Sequence, residues 1–187
     1  MRKISKEELN EILERHMKWI HDKCGGKRAD LQYANLTYVD LHGVELSHAD
    51  LCGANLRYAN LQGANLQGAY LQGATFPNAN FRDINLFGAD LQNTVLCGAN
   101  LCGANLCAVS LQYADMKGAN LSYSNLRKAN LSHTYLKDAD LSHAYLKDAI
   151  LHDVDLQSVK LEGAYDERSS TELEMWKNWL NEQHKEK

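Results

Sequence analysis

Stepping five residues at a time from Leu31, the chain reads Leu36, Leu41, Leu46 and onward without a slip to Leu161, with Phe76, Phe81 and Met116 the only departures from leucine. Two residues before each of these large apolar positions stands a small one, usually alanine (Ala29, Ala34, Ala49, Ala54, Ala59), sometimes Val, Ser or Thr, with Ile84 the one bulky member. A two-position signal held over 27 consecutive positions, from Leu31 to Leu161, is an internal repeat, and it constrains the fold more than any other feature of the chain.

A step of five excludes the two ordinary secondary structures. On an α-helix of 3.6 residues per turn it advances about 140° past a full turn, so the leucines would spiral round the axis and form no face. On a straight strand side chains alternate, so an odd step would send successive leucines to opposite sides. Every leucine stays on one side only if the chain bends once per pentapeptide and always in the same sense. Such a chain winds into a solenoid around its leucines. The small residue two positions earlier shares the inward face, and its size lets neighbouring walls approach.

The consensus A-[DN]-L-x-x, seen as "ANLRYANLQGANLQGAYLQGA" from Ala54 to Ala74, closely resembles the pentapeptide-repeat proteins over roughly Ala29 to Ala164. The resemblance implies an all-β solenoid, a right-handed quadrilateral β-helix with one pentapeptide per side and four sides per coil. Four sides give about seven coils and, at the ~4.8 Å strand spacing, a rod on the order of 30 Å long. Residues recurring at twenty, such as Gln72, Gln92 and Gln112 or Asn60, Asn80, Asn100 and Asn120, are candidates for hydrogen-bonded ladders between coils.

Both ends of a solenoid expose apolar coil faces, and the sequence offers an amphipathic helix for each. Residues 1–27 form an N-terminal capping helix, 28–165 the β-helix and 166–187 a C-terminal helix. At the first, Ser5 and Glu8 make a capping box, Ile4 and Leu9 have the spacing of a hydrophobic staple, and Leu9, Ile12, Leu13, His16, Trp19 and Ile20 mark one face. Gly25 and Gly26 are expected to stop it. At the second, Leu173, Trp176, Trp179 and Leu180 form a stripe that either covers the last coil or pairs with a second copy as a homodimer interface. Between them, "ATFPNANF" places Pro77 in the wall, where the missing donor or a cis bond would give a local kink.

Few residues suggest chemistry. Cys97, Cys102 and Cys107 each follow a leucine directly, so they point outward on three successive sides and cannot gather within the few ångströms that a shared zinc requires. His133 and His143 stand ten residues apart, half a coil, and fall on opposite sides near Asp138 and Asp148, which reads as solvated surface. A Gly-rich phosphate loop, a nucleophile elbow and a clustered acid pair are all missing, and glycines such as Gly53, Gly63 and Gly98 are turn residues. No catalysis, cofactor or metal is expected.

The net charge of -4 and the scattered Lys and Arg give no stripe for a phosphate backbone, so direct nucleic-acid binding is not expected. Five cysteines, an odd number without framework spacing, suit free thiols in a reducing cytosol. With no apolar run long enough for a signal or a membrane span, a cytoplasmic protein is expected. The leading reading is a rigid, non-catalytic rod that presents a regular surface to a protein partner of unknown identity. The alternative comes through the resemblance: some pentapeptide-repeat proteins imitate duplex DNA, bind type II topoisomerases such as gyrase and protect them from quinolones. Against it, Arg28 to Tyr165 holds nine Lys or Arg and thirteen Asp or Glu, thin for an imitator of one charge per ~1.7 Å. The unbroken register also leaves no room for the projecting loops common in that group.

Overall fold

The computed structural model describes residues 1–165, and the expected C-terminal helix with Leu173, Trp176, Trp179 and Leu180 lies outside them. Four-sidedness is explicit in the backbone pairing. Parallel bridges join the residues before the leucines to those twenty positions on, from Asp30↔Asp50 through Asn60↔Asn80 and Asn100↔Asn120 to Tyr145↔Tyr165, with Tyr135 and Asp155 the one pair among the described residues left unbridged. Twenty residues are four pentapeptides, so each coil lies directly on the last in a quadrilateral β-helix.

Each corner is a four-residue turn closed by a hydrogen bond from the small residue back to the leucine, as in Ala34 N to Leu31 O at 3.1 Å. Its third residue takes a left-handed backbone at 26 of the corners from Tyr33 to Gly163, the signature of a type II turn. Sixteen of those residues are not glycine, among them Tyr33, Ala108, Lys128 and His133. Left-handed backbone costs an L-residue roughly 1–2 kcal/mol. Two compensations recur. At most corners the left-handed residue's own N–H is taken by the next coil, as in Tyr33 N to Cys52 O at 2.9 Å, and where an Asp or Asn precedes the leucine its side chain accepts the N–H of the residue after the leucine, as in Gln32 N to Asp30 Oδ1 at 3.2 Å.

All 27 large apolar positions are buried, from Leu31 to Leu161, and the small residues interleave with them in one continuous core. Thr94 at a small position hides its hydroxyl by donating to Leu91 O at 2.7 Å. Phe76 and Phe81 fill the axis with rings edge to face at 5.0 Å. The kink expected at Pro77 does not occur. Every peptide bond among the described residues is trans, and the rungs Thr75↔Val95 and Asn80↔Asn100 on either side are intact. Pro77 occupies the second turn position, where its fixed φ suits a type II turn and no coil-to-coil donor is required.

At the N-terminus a helix packs against the first coil. Helix α1, Lys6–Ile20, begins at Ser5, whose hydroxyl accepts the Glu8 N–H at 3.1 Å. The Glu8 carboxylate turns to Arg2 at 2.6 Å, leaving the box one-sided. Leu9 and His16 are buried against the first coil and Ile4, Ile12 and Leu13 pack beside them, while Trp19 remains 37% exposed and stacks on His16 at 5.5 Å. The glycines are not the stop. The helix ends at Ile20, Asp22 takes the first left-handed backbone, and Gly25 and Gly26 serve the return path, where a Cβ on Gly26 would strike the Trp19 backbone. Ahead of the helix, β1 (Arg2–Lys3) pairs in parallel with β2 (Ala34–Asn35), an added rung on the first coil that periodicity did not reveal.

Candidate functional surface

Because every side chain of a coil sits above its counterpart twenty residues on, the outer surface is a set of columns. One wall carries a hydrogen-bonded amide ladder: Asn65 donates to Glu45 at 2.7 Å, Asn85 to Asn65 at 2.9 Å, Asn105 to Asn85 at 3.0 Å and Asn125 to Asn105 at 3.4 Å. Sequence reasoning missed this column, although spacing at twenty was its signal. In the expected column, Asn60 donates to Asp40 and Asn80 to Asn60, and among the described residues the amide run ends there. The glutamines do not bond one another. Gln72 donates to Asp90 at 2.5 Å and accepts from the Cys52 thiol, while Gln92 also turns to Asp90. Burial alone would push Glu45 up, yet hydrogen bonds from Ser47 and Asn65 outweigh it and hold its carboxyl below the usual value.

The corners carry the aromatics. A left-handed residue leans its side chain toward the next coil, and the residue twenty positions on is recurrently a ring that stacks on it or a glycine that leaves it room, as Gly53 does for Tyr33 and Gly68 for His48. Tyr38 stacks on Tyr58 at 5.1 Å, Tyr113 on His133 at 4.8 Å and Tyr123 on His143 at 4.7 Å. The Arg57 guanidinium covers Tyr58 at 5.1 Å, and that of Arg28 covers Tyr70 at 5.4 Å. These rings stay open to solvent: Tyr113 is 59% and Tyr123 61% exposed. Half a coil separates Tyr113 from Tyr123 and His133 from His143, so similar aromatic edges stand at diagonally opposite corners, and Tyr135 and Tyr145 stand likewise on opposite walls. Tyr, Trp and Arg are the side chains that anchor protein interfaces, and here they are prearranged on a stiff frame.

The cysteines are placed as the five-residue step requires. Cys97, Cys102 and Cys107 sit at three successive corners, and all five cysteines are free. Burial, followed by the neighbouring Asp50 and Asp115, pushes the Cys52 and Cys97 thiols up to about 11, the reverse of an activated nucleophile. No helix among the described residues is long and apolar enough to cross a membrane.

Coil, corner and column together define a quadrilateral β-helical repeat protein whose outer wall is a lattice of stacked side chains. The family profile of pentapeptide repeats matches residues 45–83, 84–122 and 124–163, and the chain belongs to that family. Among solved structures it is similar to a pentapeptide repeat protein from the Arabidopsis thaliana thylakoid lumen (28% identity, 60% of this chain and 71% of the other, TM-score 0.38). It is similar also to full-length QnrB1, a plasmid-mediated fluoroquinolone resistance protein (20% identity, 80% and 72% coverage, TM-score 0.47). A third likeness is to HetL of the cyanobacterium Nostoc sp. strain PCC 7120, involved in heterocyst differentiation regulation (28% identity, 87% and 92% coverage, TM-score 0.22). No curated protein sequence matches.

Proposed function

We propose that the chain is a non-catalytic interaction scaffold that holds a protein partner against the aromatic corners of the rod. The observation that carries this reading is the pair of solvent-open stacks, Tyr113 on His133 and Tyr123 on His143, each pinned by backbone bonds between coils. Preordered rings meet a partner with little further loss of side-chain freedom. Duplex imitation has less support, since the ladder from Asn65 to Asn125 is uncharged where an imitator needs rows of carboxylates. We extend the proposal to a homodimer through Leu173, Trp176, Trp179 and Leu180, which light scattering on a Trp176→Ser/Trp179→Ser variant tests: a folded protein of half the mass is the expected result.

Photo-crosslinking tests the scaffold. A benzophenone side chain at position 113 or 123 should capture one and the same protein from cell extract, and a probe at Asn85 on the amide wall should not. Equal capture from all three positions overturns the reading.

A further inference from the structure

At one corner the lattice brings together more than aromatics. His133 and Asp153 are consecutive members of one column, both left-handed with φ of 58° and 54°, and His152 directly precedes Asp153. The carboxylate oxygen Oδ2 of Asp153 lies 3.1 Å from Nδ1 of His152 and 3.6 Å from Nδ1 of His133. All three donor atoms fall within 4.8 Å of one another. Tyr113 stacks on His133 with ring centroids 4.8 Å apart and only 5° between the planes, which holds the imidazole in place beside Asp153.

We propose that His133, His152 and Asp153 form a zinc site. Zinc bonded at about 2.0–2.2 Å in a tetrahedron places its donors roughly 3.3–3.6 Å apart, and the carboxylate-to-nitrogen separations of 3.1 and 3.6 Å lie close to that span, with all three donor atoms within 4.8 Å. Two imidazoles and one carboxylate suit a borderline ion such as zinc, whereas calcium and magnesium call for oxygen donors. The fourth position opens to water, since His152 is 71% exposed.

A second feature lies at the same place. On the wall beside this corner the rungs run Thr75↔Val95, Val95↔Asp115 and Asp115↔Tyr135, and Asp155 does not pair with Tyr135. The next corner is irregular too, because Ser158 is not left-handed and its hydroxyl accepts the Asp138 N–H in place of a backbone carbonyl. A cleft of about 460 Å³ opens there, lined by His133, Tyr135, Asp153, Asp155 and Ser158. An ion held by His133 from one coil and by His152 and Asp153 from the next would clasp the two where a backbone rung is missing.

The chain contains its own control. His143 repeats the stack of His133, on Tyr123 at 4.7 Å, but Gly163 stands one coil on where Asp153 stands for His133, and Glu162 replaces His152. The test is calorimetric titration of zinc chloride into the metal-stripped full chain, with circular dichroism to show that each surface variant remains folded. One zinc per chain is expected, retained in His143→Ala and lost in both His152→Ala and Asp153→Asn. The thermal midpoint should rise with zinc in the parent protein and stay fixed in those two variants. Failure of the parent chain to bind zinc, or binding that survives intact in the His152→Ala/Asp153→Asn double variant, overturns the proposal.

Discussion

The ring of Tyr33 lies where a side chain on Gly53 would have to begin: a Cβ built there meets ring carbons at 2.6 Å. Gly63, in the same turn position with φ of +64° against +63°, has nothing within 4 Å. The two glycines therefore separate backbone strain from crowding. Gly63→Ala should cost about 1–2 kcal/mol for the left-handed backbone alone. Gly53→Ala should cost more, because the Tyr33 ring must also leave its place. Denaturant unfolding of both variants checks this, and equal losses would mean that the ring moves freely.

The axial column should be intolerant of cavities. Leu101 is completely buried between coils that are themselves held by Leu101 N to Asn120 O at 2.6 Å. Leu101→Ala should destabilise by about 2–5 kcal/mol, since a close-stacked solenoid cannot collapse around the missing methyls. The midpoint of urea unfolding measures it.

Acid should loosen the N-terminal cap before the rest. His16 is fully buried, its Nδ1 accepts the Ala29 N–H at 3.1 Å, and its Nε2 is buried with no partner among the described residues. Burial pushes its pKa below the ordinary 6.5, against a smaller opposing pull from Glu45. The unfolded chain thus takes up the proton first. The stability His16 lends is complete above about pH 6.5 and declines as pH falls from there toward the folded value. A proton–carbon NMR titration should find His16 titrating below the ordinary histidine value. The drop in thermal midpoint between pH 7.5 and 5.5 should shrink in His16→Phe.

Thiol reactivity should follow the corners. Cys24 is exposed, whereas Cys52 donates to Gln72 and, like Cys97, is held protonated well above neutrality. Iodoacetamide at pH 7.5, followed by peptide mass spectrometry, should label Cys24 first and Cys52 and Cys97 slowly. Early labelling of Cys52 would show that the Gln72 contact does not persist.

The period of five was enough to say which residues face inward, because only a chain bending once per pentapeptide can keep Leu31 to Leu161 on one side. It also put Cys97, Cys102 and Cys107 on separate sides, and the local spacing of Ser5 and Glu8 marked the start of the helix, since both are consequences of neighbours a few residues apart. What the sequence left open depends on residues nineteen or twenty apart. The amide ladder from Glu45 to Asn125, the ring of Tyr33 over Gly53 and the approach of His133 to His152 and Asp153 exist only once four sides close a coil and stack one corner on the next. The β1 rung and the end of α1 at Ile20 belong to the same class, being decided by how the cap meets the first coil. Facing is set by local backbone geometry, whereas partnership across coils is set by how the chain closes on itself, and only the tertiary structure supplies that.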